Sequence, residues 1–443
     1  MIARAYPKYK NSGIEWLGDI PEHWEVLPVK RITNIPVTDG PHETPEIFDD
    51  GIPFISAEAI KDDKIDFSKK RGFISVENHV RFSKKYKPQK GDIYIVKSGA
   101  TTGNVAFVET EDEFNIWSPL AVIRPDHKKA ITSFTFFFMK SINFFQSIEL
   151  SWSYGTQQNI GMNVIENLPL VIPPLSDQNY IATFLDRETA RIDTLIEKKQ
   201  RQIELLEEKR SALINHAVTK GLDPNAKMKD SGIAWLGEIP EHWEVKPIKY
   251  LFVIINGSTP KSGEPDYWDG NIPWATPDDL GSLKGDTIRI TKRMITNEGY
   301  QSCGTSLASE GSLVVSTRAP IGHLAIAGVP LCTNQGCRCL ISRDEVEKRF
   351  YYYQLLIAKQ ELESWGQGST FKELGHDELG AVSILSPPIE EQHTIAAFLD
   401  RETARIDAMT KKIHNSIDLL REYRTALISA AVTGKIDVRG ETV

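Results

Sequence analysis

The residues that most resemble chemical machinery are the cysteines Cys303, Cys332, Cys337 and Cys339, the last three inside CTNQGCRC. A zinc site would need paired C-x-x-C spacing or neighbouring histidines, because several ligands must converge on one tetrahedral ion. Neither pattern occurs, and the matching stretch of the first half, NIWSPLAVI from Asn115, has no cysteine. No metal site is expected. Phosphate chemistry is equally unsupported: there is no GxxxxGK[ST] loop, Gly434-Lys435 runs on into isoleucine, and the Gly99 to Gly103 segment reads as a turn. No GxGxxG opens a helix after a strand, so a dinucleotide or methyl-donor pocket has no support. SPPI from Ser386 and IPPL from Ile172 lack the aromatic residue of an amino-methyltransferase tetrad. The Pro-Asp pairs at Pro125, Pro265 and Pro277 lack the Asp/Glu-x-Lys partner of a nuclease centre. His23 and His242 each stand beside a tryptophan, outside any ligand cluster. No catalytic residue is nominated, which leaves binding as the class of function.

Charge says what could be bound. A net charge of −8 over 443 residues weighs mildly against nucleic acid, since phosphate binding normally needs a basic surface. The distribution matters more than the sum. Residues 61–97 hold 11 basic against 5 acidic side chains, whereas residues 239–387 hold 14 against 18. Taken alone, such a basic stretch reads as a solvated face. The length predicts about two to four domains at ~100 to 200 residues each. The most aromatic run, ITSFTFFFMKSINFFQ from Ile131, is broken by Lys140, Asn143 and Gln146, short of the ~20 apolar residues of a membrane span. The start MIARAYPKYKNSG has no signal-peptide core, so a cytoplasmic location is expected.

The organisation is a duplication. SGIEWLGDIPEHWEV from Ser12 returns as SGIAWLGEIPEHWEV from Ser231, an offset of 219. FLDRETARID from Phe184 returns unchanged from Phe398, and RSALINHAVT from Arg210 returns as RTALISAAVT from Arg424, both at an offset of 214. Between these landmarks the agreement thins to short anchors such as GDIYIVKSGATTGNVAFV from Gly91 and GSLVVSTRAPIGHLAIAG from Gly311. Each half is a shared frame around a divergent interior. The N-terminal YPKYKNSGIEWLG also resembles the linker DPNAKMKDSGIAWLG, so the order is circular: linker, globular part, helix, repeated. This places the globular parts as equivalents about a pseudo-two-fold.

The positioning elements follow from periodicity. Leu185, Ile192, Lys199, Leu206 and Leu213 are seven apart, as are Leu399, Ile406, Ile413, Leu420 and Leu427, with Leu195, Ile203, Met409 and Ile417 as companions. All but Lys199 are expected to pack one helix on the other. Two helices of about 40 residues would each run ~60 Å, and the linker lets them pack antiparallel. Ser176-Asp177 is expected to cap the first, and Gly221 and Gly434 fall where the helices should end. Ile93 and Ile95 alternate into a strand, Phe134, Phe138, Ser141 and Phe145 suggest one helix, and Val346, Phe350, Tyr353 and Ile357 suggest its counterpart. The expected fold is α+β: two α+β domains, 1–172 and 239–387, separated by two long antiparallel coiled-coil helices, 173–220 and 388–435, with a linker at 221–238 and a tail at 436–443. Trp24 and Trp243 are expected in the docking core.

With its duplicated WLGDIPEHWEV and WLGEIPEHWEV, its Pro-Pro approach to each helix and its repeated helix exits, the chain resembles the specificity subunits of type I restriction-modification systems over nearly its whole length. The resemblance implies that each interior is a target recognition domain reading one half of a bipartite, asymmetric DNA site, with the helices as a ruler between them. It implies a non-catalytic subunit, partnered by double-stranded DNA, two modification and two restriction subunits. No cofactor is expected in this chain; S-adenosylmethionine, ATP and Mg belong to the partner subunits. Under this reading Lys69, Lys70, Arg71, Arg81, Lys84, Lys85 and Lys97 are nominated for phosphate or groove contact. Thr101, Thr102, Gln157 and Gln158 are nominated for base edges. Lys261, Arg289, Lys292, Arg293, Arg318, Gln367 and Lys372 are the parallel set in the second domain.

Overall fold

The structure, a computed structural model, describes residues 4–151, 159–367 and 372–440. It divides into two units, Met1–Gln200 with His414–Val443, and Arg201–Ile413. Each unit holds one globular part and one half of each long helix, Leu175–Lys220 and Ile389–Val432. In the first unit the strands Glu25–Pro28 and Pro169–Ile172 pair antiparallel and close the globular part just before the helix begins. In the second, Glu244–Pro247 and Ser383–Ser386 do the same.

Both globular parts are built on a sheet buried on its two faces. In the first unit the strands lie in the order Val105–Phe107, Ile93–Val96, Leu120–Ile123, Thr38–Asp39, all antiparallel. Because side chains alternate along a strand, Ile93 and Ile95 join Phe134, Phe138 and Trp24 in one core, while Tyr94 and Val96 join Ile55, Tyr86 and Phe114 in another. The second unit has the order Phe252–Asn256, Cys337–Ser342, Leu313–Ser316, Leu324–Ala327, Thr287–Ile288, the last pair parallel. Leu313 and Val315 face the core that contains Phe350 and Trp243; Val314, Cys337 and Cys339 face a smaller one. Those cysteines are core residues, and burial pushes the Cys339 thiol up to about 12 and the Cys332 thiol up to about 11. Among the described residues no group of His, Cys, Asp and Glu could hold a metal ion, and no helix is long and apolar enough to cross a membrane.

Three expectations need correction. The Phe134 to Phe145 pattern is two helices, Thr132–Met139 and Ile142–Glu149, because the Ser141 hydroxyl accepts from Phe144 N at 3.2 Å and starts a new helix. The first long helix starts at Leu175, so Ser176 and Asp177 lie in its first turn and do not cap it. Asp177 there meets His23 Nε2 at 3.0 Å, and its counterpart Glu391 meets His242 Nε2 at 2.6 Å. Leu195 and Met409 are exposed, at 36% and 39%, and Ile196 packs on the core in place of its neighbour. The packed companions Ile196, Ile203 and Ile417 follow the seven-spaced series by four residues, whereas Leu195 and Met409 follow it by three and turn to the other flank of the helix.

Inside each unit the start of one long helix lies with the end of the other. Leu185 and Ile192 share a core with Leu427, Ile428 and Val432, and Leu420 packs at its edge. The pair Asp193–Arg424 joins the two helices, Asp177 meets Arg439 just past the end of the second, and the opposite chain directions of the two pairs are those of antiparallel packing. In the second unit Leu399 shares a core with Ile214 and Val218, and Leu213 packs on it. Ile406 is buried, while Leu206 and Ile413 are half-buried. Gly221 and Gly434 end the helices in the left-handed region, at φ +76° and +73°. A Cβ on Gly221 would lie 3.3 Å from Trp243, and one on Gly434 would lie 3.0 Å from Trp24. Each repeated tryptophan, 0% exposed, is thus seated on a helix-ending glycine.

Candidate nucleic-acid interface

The same two backbone segments meet at the end of a central strand in both units. In the first, Ile93–Val96 runs out at Lys97, whose carbonyl accepts from Ile160 N at 2.7 Å, and Ser98 bridges Asn159. In the second, Leu313–Ser316 runs out at Thr317, whose carbonyl accepts from Leu374 N at 2.8 Å, and Arg318 bridges Glu373. The sequences on these segments are unlike. The first carries SGATTG, where Gly99 and Gly103 have φ of +107° and +93° and Thr102 Oγ1 donates to Gly99 O at 2.7 Å. Thr101 is exposed there and Thr102 buried; Gln157 and Gln158 lie outside the described residues. The second presents Arg318, ion-paired to Glu373 at 3.1 Å, with Gln367 paired through its backbone to Glu373 and its amide 3.4 Å from Glu378. Exposed Lys372 follows beside them, so Arg318, Gln367 and Lys372 come together.

The basic stretch of the first unit is largely neutralised by neighbours that sequence spacing does not reveal. Asp39, 4% exposed, takes Lys85 at 2.5 Å and Lys97 at 2.8 Å, and His42 at 3.1 Å. Burial alone would raise the Asp39 carboxyl, but the two ammonium groups outweigh it and hold it below the usual range. Arg81 pairs with Glu43 and with Asn78. Lys70 lies 4.7 Å from the Phe73 ring and donates to Phe67 O at 3.3 Å, and Arg71 lies 4.0 Å over the Trp117 ring. Lys69 and Lys84 are exposed and make no ion pair among the described residues.

In the second unit the nominated residues fall into two groups. Arg293 stacks 3.3 Å over Trp268 and lies 6.0 Å from Trp274, and the carbonyl of exposed Lys261 accepts from Trp268 Nε1 at 3.2 Å. Lys292 pairs with Asp278 at 2.5 Å, which raises its pKa, and Arg289 donates to Gly328 O at 2.5 Å. Arg318, Gln367 and Lys372 form the other group, at the loop described above. Sequence reading missed Arg338, 9% exposed, which donates to Asn256 Oδ1 at 3.0 Å and to Leu374 O at 2.5 Å and so supports that loop from beneath. The signal was present: a charged residue alternating with cysteine inside a buried strand must find partners.

The frame fastens each globular part by repeated residues. Gln178 accepts from Ile131 N at 2.7 Å and donates to Pro173 O at 2.8 Å; Gln392 accepts from Glu347 N at 3.0 Å and donates to Pro387 O at 2.8 Å. Each unit thus mounts an unlike loop on the same repeated support. Residues 21–205 and 240–419 each match the type I restriction modification DNA specificity domain. The chain therefore belongs to the specificity-subunit family of type I restriction-modification systems, with one target recognition domain in each unit. It is 27% identical to the putative type I restriction enzyme MjaX specificity subunit of Methanocaldococcus jannaschii, over 99% of this chain and 100% of that protein. It is 39% identical to the MjaIX specificity subunit of the same organism, over 37% of this chain and 38% of that one. Its fold is similar to a chain solved in work on assembly and conformational transition of the type I R-M system, at a TM-score of 0.73 and 18% identity, over 94% of this chain and 99% of that one. The HsdS subunit of Thermoanaerobacter tengcongensis is similar at a TM-score of 0.55 and 19% identity, over 94% and 98%.

Proposed function

We propose that the chain is the DNA sequence-specificity subunit of a type I restriction-modification complex, non-catalytic itself, that recognises an asymmetric bipartite site. Each recognition domain reads one half-site, and the long helices set the gap, as half-site spacing is set in dimeric DNA-binding proteins. The chain docks two modification and two restriction subunits, which carry S-adenosylmethionine, ATP and Mg. The observation that carries this reading is the equivalence of the two loops in backbone and their difference in chemistry, the exposed hydroxyl of Thr101 against Arg318, Gln367 and Lys372. Different donors on equivalent loops read different bases.

The test is co-expression with a cognate modification subunit, followed by mapping of methylated adenines. A split motif with two unlike halves supports the proposal. No methylation with a competent partner would contradict it.

A further inference from the structure

Each unit carries one carboxylate that ties the edge of its sheet to the long helices. In the first, Asp63 sits in the turn between Ile60–Lys61 and Lys64–Ile65, at φ +71°, and its carbonyl accepts from Phe107 N at 3.3 Å. Its carboxylate takes the ammonium of Lys140 and lies 3.5 Å from Arg424 of the second long helix. Arg424 in turn pairs with Asp193 of the first long helix at 2.9 Å. Asp63 and Lys140 line a cleft of about 610 Å³ between the turn and the helix Ile142–Glu149.

In the second unit Asp286 stands at the same place. Its carbonyl accepts from Ile326 N at 2.7 Å, and Ile326 pairs with Leu313 as Phe107 pairs with Ile93. Its carboxylate takes Arg349, which reaches on to Asp400 of the second long helix at 2.5 Å, where Tyr353 also donates at 2.7 Å. The bridging cations differ: Lys140 follows the helix Thr132–Met139, whereas Arg349 lies in the first turn of Lys348–Ile357. The positions used on the frame differ as well, Arg424 in one unit and Asp400 in the other. Their repeat counterparts are Arg210 and Asp186. The frame thus offers each domain both an arginine and an aspartate, and the carboxylate of Asp186 holds no ion pair among the described residues. Two interiors of unlike sequence have reached the same frame by different partners, which is what a required attachment predicts and a chance surface pair does not.

We propose that Asp63 and Asp286 are positioning residues that fix the angle of each recognition domain on its helices and so fix the gap between half-sites, without reading bases. Lys140 is 10% exposed on its side chain, so loss of Asp63 leaves a buried ammonium without its nearest counter-charge and lets the domain shift. The proposal rests on the specificity reading above.

The experiment uses the complex of the full chain with its modification subunit, carrying Asp63→Asn or Asp286→Asn, on DNA with the native half-sites and the gap changed by one base pair either way. Asparagine tolerates the left-handed backbone at 63, so the substitution tests the charge. The preference for the native gap is expected to fall about tenfold in each variant, the scale of a lost charged hydrogen bond. Discrimination among single-base changes within each half-site is expected to stay that of the wild type. An unchanged gap preference in both variants, or altered base discrimination, would overturn the inference. A wild-type complex that methylates no split site would defeat the specificity reading itself, a separate outcome.

Discussion

Arg424 pairs with Asp193 across the two long helices at 2.9 Å. The 214-residue offset maps this pair onto Arg210 and Asp407, 3.5 Å apart in the second unit. The same contact is made twice with the roles of the helices exchanged, which is how one repeated sequence builds an antiparallel pair. The two copies differ in surroundings, and that difference can be measured.

Arg424 is 20% exposed and meets a second acid, Asp63, whereas Arg210 is 33% exposed and its partner Asp407 is 65% exposed. Arg424→Ala is expected to destabilise its unit by about 1.5–3 kcal/mol, as for a hydrogen bond to a charged group. Arg210→Ala should cost under about 1 kcal/mol, as for a screened surface pair. Urea unfolding of both variants checks the order; equal losses would contradict it.

Asp39 gives a pH dependence. Its carboxyl lies below the ordinary value in the folded chain, so the unfolded chain takes up the proton first. The stabilisation is complete above the unfolded pKa of about 3.9 and fades as pH falls through the folded value. Asp39→Asn should remove this acid-limb component and lower stability at neutral pH by about 3 kcal/mol, because Lys97 loses its buried partner. Thermal melts from pH 7 to pH 3 would show the two profiles converging at the acid end. Parallel profiles would count against the assignment.

The tryptophans are equivalent in place but unequal in bonding. Trp243 Nε1 donates to Glu391 at 2.9 Å, while Trp24 Nε1 has no partner among the described residues. Trp243→Phe should therefore destabilise by about 1.5 kcal/mol more than Trp24→Phe, the hydrogen bond to a carboxylate being the difference. Calorimetry of the two variants decides it, and a larger loss at Trp24 would reverse the reading.

Cations with and without internal partners should behave differently on DNA. Lys84→Ala is expected to weaken binding evenly across sequences and to lower the salt slope by about 1. Arg318→Ala should relax one half-site by about 1–3 kcal/mol and leave the other intact. Fluorescence anisotropy of the complex on point-mutated sites separates these; a uniform loss for Arg318→Ala would remove it from base readout.

The frame was legible in the sequence because its residues repeat: Trp24 and Trp243, Gln178 and Gln392, Arg210 and Arg424 are fixed by two offsets. The sheets were partly legible, since Ile93 and Ile95 alternate, but the break at Ser141 was hidden under a continuous aromatic pattern. The partners of the nominated binding residues were least legible. Lys85 and Lys97 looked free until Asp39, far earlier in the chain, closed on both, and Arg424 reaches Asp63 across 361 residues. Such partnerships depend on tertiary placement, to which neither periodicity nor composition is sensitive.

The division of the chain into a fixed frame and two independent recognition domains is tested most directly by exchanging residues 28–172 for the interior of another such subunit and mapping the methylated adenines of the resulting complex. One half of the motif should change, while the other half and the gap stay as they were. A motif altered in both halves, or in its gap, would contradict the account.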